Sequence, residues 1–209
     1  MGQFKEKEQY WNKVYNEKPL ESVGWYQRVP NESLNLIQAT ELDKSAKIID
    51  VGGGDSLLAD HLLLNGFKNI TVLDISEKAI ERAQKRLGPL SAKIKWICTD
   101  IRVFKPSETY TIWHDRACLH FLTDDEDVEL YRKVATSAVD SGGNLILGTF
   151  SKTGPLKCSG LPIRQYDAHA LNNLFSNDFS RFHDFETIHV TPSGSIQNYV
   201  FCTFEKLSK

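Results

Sequence analysis

Lys47-Ile48-Ile49-Asp50-Val51-Gly52-Gly53-Gly54-Asp55-Ser56 is the stretch that decides the fold. Its first five residues are mostly apolar and β-branched, with a carboxylate near the end, the pattern of a short buried strand. Three glycines follow, and Ser56-Leu57-Leu58-Ala59-Asp60-His61-Leu62-Leu63-Leu64 then reads as a helix. A strand, a glycine turn and a helix start let backbone approach a nucleotide-like ligand closely. A dinucleotide fingerprint needs a further glycine at position 57, which is Leu57, so G-x-G-x-x-G fails. Asp74 closes the next apolar run, Ile70-Thr71-Val72-Leu73, where its carboxylate is placed to hold both hydroxyls of a ribose.

Outward from this stretch, strands and helices alternate, which predicts a mostly parallel sheet with helices on both faces. Ser76 is expected to cap a helix through Ala79, Ile80, Ala83 and Leu87, stopped by Gly88-Pro89. Lys93 to Cys98 reads as strand three and Tyr110 to His114 as strand four, with Asp115-Arg116 just past its end. Thr123-Asp124-Asp125-Glu126 has the spacing of a capping box for a helix to about Asp140. Ser141-Gly142-Gly143 is read as the turn into strand five, Asn144 to Phe150. Asp167 is then expected to cap a short helix to Ser176. The segments 180–191 and 196–204, joined by Pro192-Ser193-Gly194-Ser195, read as a terminal antiparallel hairpin.

Before the glycine stretch, Phe4, Tyr10, Trp11, Val14 and Tyr15 fall on one helical face, ended by Pro19. Gly24-Trp25-Tyr26 lies in a loop, and Pro30-Asn31 opens a helix through Gln38 with Asn31 as its expected cap. Residues 1–45 are read as a helical lid over the glycine turn. Residues 46–150 are the cofactor-binding half, and 151–209 a substrate-side loop with the hairpin. No linker or repeat divides the chain, so one domain is expected.

Composition narrows the function classes. With 209 residues, 41% hydrophobic and 25% charged, the chain has the make-up of a soluble protein with a core. A net charge of -2 gives no electrostatic case for nucleic acid or an anionic membrane, and neither is an expected partner. The N-terminal MGQFKEKEQYW lacks the apolar core of a signal peptide, and no apolar run reaches transmembrane length. Cys98, Cys118, Cys158 and Cys202 are scattered without a C-x-x-C pair, which argues against a disulfide framework and a structural zinc site. A cytoplasmic monomer or weak dimer is expected. His114, His120 and His189, alone or with Cys118 and Cys158, lack ligand spacing, so no metal is expected.

An acid before the glycines, a broken dinucleotide pattern and an acid after strand two together resemble the class I S-adenosylmethionine-dependent methyltransferases. The resemblance covers nearly the whole chain. It implies an α/β fold, a doubly wound, mostly parallel seven-stranded sheet of order 3-2-1-4-5-7-6, and S-adenosyl-L-methionine as cofactor. It places the methionine end at Gly52 and Gly54, the ribose at Asp74, and the adenine at Asp100 and Ile101. Ser56, where the family carries a third small residue, is a mild departure. The rule that ligands lie beyond the carboxyl ends of parallel strands also marks Asp50, Ile75 and His114. Trp25 joins them from the entry loop.

Strand four bears on the acceptor. His114-Asp115-Arg116-Ala117-Cys118 lacks the (Asp/Asn)-Pro-Pro-aromatic and Pro-Cys patterns of nucleobase enzymes. It is similar to the Asp-Lys-Gly-Thr of protein-lysine methyltransferases acting on elongation factor 1A and citrate synthase. Tyr10-Trp11 and Gly24-Trp25-Tyr26 resemble that group's entry segment. Cys158-Ser159-Gly160-Leu161-Pro162 and the Thr191-Pro192-x-Gly194-x-x-Gln197 turn look closest to small bacterial methyltransferases of undefined substrate. The resemblance therefore implies methyl transfer to a protein side chain, with a lysine-type amine foremost, or to a small molecule. A cofactor-binding protein that acts through a partner is the reading of another class. Asp115 and His120 are the candidate bases. Arg116, Cys118, Ser159, Gly160, Thr191 and Ser193 are the candidate substrate rim.

Overall fold

The computed structural model describes residues 2–208, apart from the side chains of residues 2–4 and of Phe182. Phe4, expected on the apolar face of the first helix, thus has its side chain outside the described residues. The strands are β1 (Lys47–Val51), β2 (Asn69–Asp74), β3 (Ile94–Cys98), β4 (Tyr110–Arg116), β5 (Val139–Phe150), β6 (Lys157–Cys158), β7 (Leu161–Pro162), β8 (Phe179–Val190) and β9 (Ile196–Lys206). The helices are α1 (Gly2–Glu17), α2 (Asn31–Ala39), α3 (Leu58–Leu64), α4 (Glu77–Leu87), α5 (Asp125–Ala138) and α6 (Ala168–Phe175), with short 3-10 turns between some of them.

Seven strands form one sheet in the order β3-β2-β1-β4-β5-β9-β8. Counting only strands of this sheet, that is the expected 3-2-1-4-5-7-6. The pairs β1–β2, β1–β4, β2–β3 and β4–β5 are parallel, and β9 runs antiparallel to both β5 and β8. The continuous apolar strands follow from burial on two faces. Ile49, Trp113, Leu145 and Leu147 pack with Tyr131 of α5 and Leu171 of α6. Their neighbours Ile48, Ile112 and Ile146 pack with Ile37 of α2 and Leu62 of α3 on the other side.

Several boundaries differ from expectation, each for a local reason. β4 runs through Asp115 and Arg116, because these residues pair with Leu147 and Gly148 of β5. α3 starts at Leu58, since the Ser56 hydroxyl accepts from the Leu58 amide in a tight turn rather than inside a helix. Asn31 is the first helical residue of α2, and the flanking residue is Pro30, whose carbonyl accepts from Leu34. The Thr123 capping box does not form; Asp124 flanks α5, without a side-chain cap. β5 starts at Val139, and its pairing with β4 shifts between Tyr110 and Ile112, so Ser141-Gly142-Gly143 lies within the strand's irregular start. Ser76 and Asp167 do cap α4 and α6, accepting from Ala79 and Ala170.

Candidate active site

A cavity opens at the carboxyl ends of β1 to β4, roofed by α1 and the loop around Trp25. Its floor is the glycine turn. Gly52 and Gly54 have φ of +67° and +50°, and their amide neighbourhood is pinned by Gly52 and Gly53 donating to the Leu73 carbonyl. A Cβ on Gly52 would lie 2.6 Å from Cys118 Cβ, and one on Gly54 2.6 Å from the Tyr15 hydroxyl. Glycine is therefore required by backbone conformation and by space at once.

Asp74, at the end of β2, is buried, with Oδ1 accepting from the Ser76 amide at 2.7 Å. Its Oδ2 sits 3.1 Å from where a Gly54 side chain would begin. Burial, aided by the nearby Asp55 and Asp50 and opposed by the Ser76 amide, pushes its carboxyl up to about 7. Asp50 lies one strand over. Its Oδ1 bonds His114 Nδ1 at 2.7 Å, and His114 Nε2 bonds the Ser33 hydroxyl at 2.8 Å, so a buried polar chain joins α2 to the glycine turn. Ser33 lies 81 residues from His114 in sequence, and nothing in its local pattern points to this partnership.

Asp50, Gly52, Asp74, Ile75, Asp100, Ile101, His114 and Trp25 all line the cavity. Gly54 lies beneath the Tyr15 hydroxyl and Asp74 instead of forming cavity wall. Asp100 differs from expectation in one respect. Both of its oxygens already take N–H groups of Arg102, at 2.9 Å from the amide and Nε and 2.6 Å from Nη2. Tyr15, Trp11, Phe121, Ser33, Leu57 and Lys7 line the cavity too. The aromatic periodicity of α1 was the one sequence signal for two of them.

The acceptor side corrects more of the expectations. Asp115 is fully buried and faces α5, away from the cavity. It accepts from the Tyr131 hydroxyl at 2.6 Å and from the amides of Cys118 at 2.8 Å and Leu119 at 3.1 Å. Burial outweighs these bonds and raises its carboxyl to about 6. The alternation of β4 explains its direction, since His114 and Arg116 point to the opposite face. His120 is also fully buried, with Nδ1 accepting from the Phe150 amide, and does not line the cavity. Burial, then the charge of Arg116, lowers its pKa to about 3, so the ring is neutral. Neither residue is placed as a base at the cavity.

Arg116, Cys118 and Cys158 line the cavity, whereas Ser159, Gly160, Thr191 and Ser193 stand outside it. The Ser159 carbonyl accepts from the Tyr10 hydroxyl, which ties the β6–β7 loop to α1. Thr191 and Ser193 belong to the β8–β9 turn, where the Thr191 hydroxyl accepts from the Ser195 amide at 3.0 Å. That turn and the β6–β7 loop both carry residues expected at the substrate rim. The Gly24 carbonyl accepts from His189 Nε2 at 2.8 Å, and a Cβ at Gly24 would lie 3.3 Å from the Gln197 side chain and 3.8 Å from that of Thr191, so the entry loop packs against the end of the hairpin.

Residues 48–143 match the family described as a methyltransferase domain. Over 143 residues, 66% of its length, the chain is 27% identical to the eEF1A lysine and N-terminal methyltransferase of Mus musculus, covering 20% of that protein. It is 28% identical over 87 residues to the N-terminal Xaa-Pro-Lys N-methyltransferase 1 of Danio rerio, covering 41% of this chain and 39% of the relative. The chain thus spans only about a fifth of the length of the first of these relatives. Among solved structures, a SAM-dependent methyltransferase from Anabaena variabilis superposes with a TM-score of 0.73 at 16% identity, over 97% of this chain and 94% of that one. The N-methyltransferase NodS from Bradyrhizobium japonicum, in complex with S-adenosyl-L-homocysteine, superposes with a TM-score of 0.69 at 16% identity, over 94% and 98%.

Proposed function

We propose that this chain, whose residues 48–143 match a methyltransferase domain, is an S-adenosylmethionine-dependent methyltransferase that transfers a methyl group to an amine nitrogen of a protein, with a lysine side chain as the leading acceptor. The observation that carries this reading is the aromatic wall of the cavity. Trp11, Tyr15, Trp25 and Phe121 line it, with edge-on contacts of 5.9 Å between Trp11 and Trp25, 5.0 Å between Trp11 and Phe121, and 5.8 Å between Tyr15 and Trp25. Aromatic faces attract a cation by about 0.5–2 kcal/mol and keep water out.

The glycine turn, Asp50 and Asp74 would hold the cofactor, with Gly52 and Gly53 presenting backbone at the cavity wall. When bound, S-adenosylmethionine supplies a methyl group on a positively charged sulfur, and its transfer leaves that charge on the acceptor nitrogen. The rings suit a cation at either position. The chain's own task is then to align the amine and keep it unprotonated. Asp115 is turned away and His120 is buried and neutral, so neither takes the proton. The positive charge of Arg116 at the cavity wall disfavours the ammonium, and the amine's proton leaves to solvent before the acceptor is enclosed.

The names of the mouse and zebrafish relatives, which specify a lysine and protein N-termini, support a protein amine. The test is incubation with methyl-labelled cofactor and cell lysate, followed by hydrolysis of the labelled protein. N-methylated lysine is the expected product; label on oxygen or sulfur removes the amine reading. A small-molecule amine is the second reading, favoured by the Tyr10–Ser159 tie across the acceptor side. Label confined to the small-molecule pool selects it, and no label from a folded protein selects a non-catalytic binder.

A further inference from the structure

Arg116 is the one arginine of the cavity wall without a carboxylate partner among the described residues. Arg82, Arg86, Arg102, Arg132 and Arg164 each form an ion pair. Arg116 instead donates from Nη1 to the Trp25 carbonyl at 3.1 Å and lies 4.7 Å over the Tyr199 ring, and its Nη2 is buried without a hydrogen bond. A partly covered guanidinium with no counter-charge is unfavourable unless something else supplies one. Its surroundings share this deficit. His120 Nε2 and the Tyr199 hydroxyl are also buried without partners. They belong to the same packed group, since the His120 ring lies tilted against Phe150 at 4.6 Å and Phe150 meets Tyr199 edge-on at 4.9 Å. Because His120 Nδ1 accepts from the Phe150 amide, its neutral ring carries the proton on Nε2 and is a donor.

The sheet order says which molecule faces this group. Asp50 and Asp74 stand at the ends of β1 and β2 and Asp100 just past β3, the cofactor side, whereas Arg116 on β4 looks toward β5 and β9, where Gly148 and Tyr199 lie. We propose that Arg116 is an anion subsite of the acceptor, so that the methylated amine belongs to a molecule that also carries a carboxylate. The planar fork, which lies over the Tyr199 ring, takes the carboxylate through two charge-assisted bonds in place of the single Trp25 carbonyl. The inference rests on the amine reading above and narrows it. The carboxylate comes either from the acceptor amine's own small molecule or from an acidic residue beside a lysine.

Calorimetry on protein saturated with S-adenosylhomocysteine tests this with matched probes. One pair is 6-aminohexanoate and hexylamine; the other is an acetylated, amidated Gly-Lys-Glu peptide and its Gly-Lys-Gln counterpart. The carboxylate-bearing member of at least one pair is expected to bind at least tenfold more tightly, and the pair that shows the preference identifies the source. Arg116→Gln is expected to abolish the preference while S-adenosylhomocysteine affinity stays within threefold. Should that variant not fold, Arg116→Lys keeps the charge without the fork and is expected to lose at least threefold of the preference. No preference in either pair, with or without binding, overturns the subsite, as does a preference that survives both substitutions. A tenfold loss of S-adenosylhomocysteine affinity overturns it by assigning the guanidinium to the cofactor's carboxylate. Hexanoate binding as tightly as 6-aminohexanoate would keep the subsite and remove the amine reading instead.

Discussion

Asp74 carries the most direct pH signature. Its carboxyl is raised to about 7 by burial and by the neighbouring Asp55 and Asp50. Only the ionised form can accept from both hydroxyls of a ribose, so cofactor binding must take up the cost of ionising it. Below about pH 7 the affinity for S-adenosylhomocysteine should rise about tenfold per pH unit, and above it the affinity should level off. Calorimetry between pH 5.5 and 8.5 checks this, and Asp74→Asn should bind more weakly at pH 8 with the slope gone. A slope retained in the Asn variant would assign the proton to another group. Asp115 makes the contrast. Asp115→Asn leaves one buried donor or acceptor of the Tyr131, Cys118 and Leu119 group unmatched, at a cost of about 1–3 kcal/mol in urea unfolding. It should leave S-adenosylhomocysteine affinity unchanged, because this carboxylate faces α5.

At the scale of elements, α1 is held less by its own sequence than by α4. The Asn12 side chain accepts from the Ser76 hydroxyl at 2.7 Å and the Lys78 amide at 3.2 Å. Arg82 donates to the Tyr15 and Lys18 carbonyls at 2.6 and 2.8 Å, and pairs with the buried Asp55 at 2.9 Å. Arg82→Ala therefore strands a buried carboxylate and loosens the end of α1. Because Arg82 is only partly covered, the expected loss is about 1–3 kcal/mol, below the range for a fully buried pair. Trypsin should then cut after Lys13 faster than in the parent protein. Equal cutting rates would mean that α1 is held by its aromatic face alone. These ties also show what was legible in the sequence. Strands and the caps at Ser76 and Asp167 could be read locally, because apolar runs and i to i+3 spacing carry them. The end of β4 could not, since Asp115 and Arg116 are strand residues only through pairing with β5. The direction of Asp115 followed from that misplaced end. The Asp50–His114–Ser33 chain, Asn12 and the Tyr10–Ser159 tie join residues far apart in sequence, and only the packing of α1 and α2 onto the sheet and its loops brings them together.

At the scale of the whole molecule, the proposed function requires that charge and shape at the glycine turn select the nucleoside. In dinucleotide folds a pyrophosphate sits on the helix start after the turn, held by free amides. Here Leu57 occupies the position a further glycine would need and lines the cavity, and the Leu58 amide is already taken by the Ser56 hydroxyl at 3.1 Å. Buried carboxylates at Asp50, Asp55 and Asp74 surround the turn, so a pyrophosphate would enter a negative field. A nucleoside whose arm carries a thioether or a sulfonium in place of phosphates avoids that repulsion and leaves its ribose hydroxyls for Asp74. A ligand at 100 times its dissociation constant stabilises the fold by about 2.7 kcal/mol. For a domain of this size, that corresponds to a rise in melting temperature of about 5–10 °C. S-adenosylhomocysteine should produce such a rise and NAD none at the same concentration. A shift with NAD equal to that with S-adenosylhomocysteine would show that the turn tolerates a pyrophosphate, and that its carboxylates do not select the cofactor.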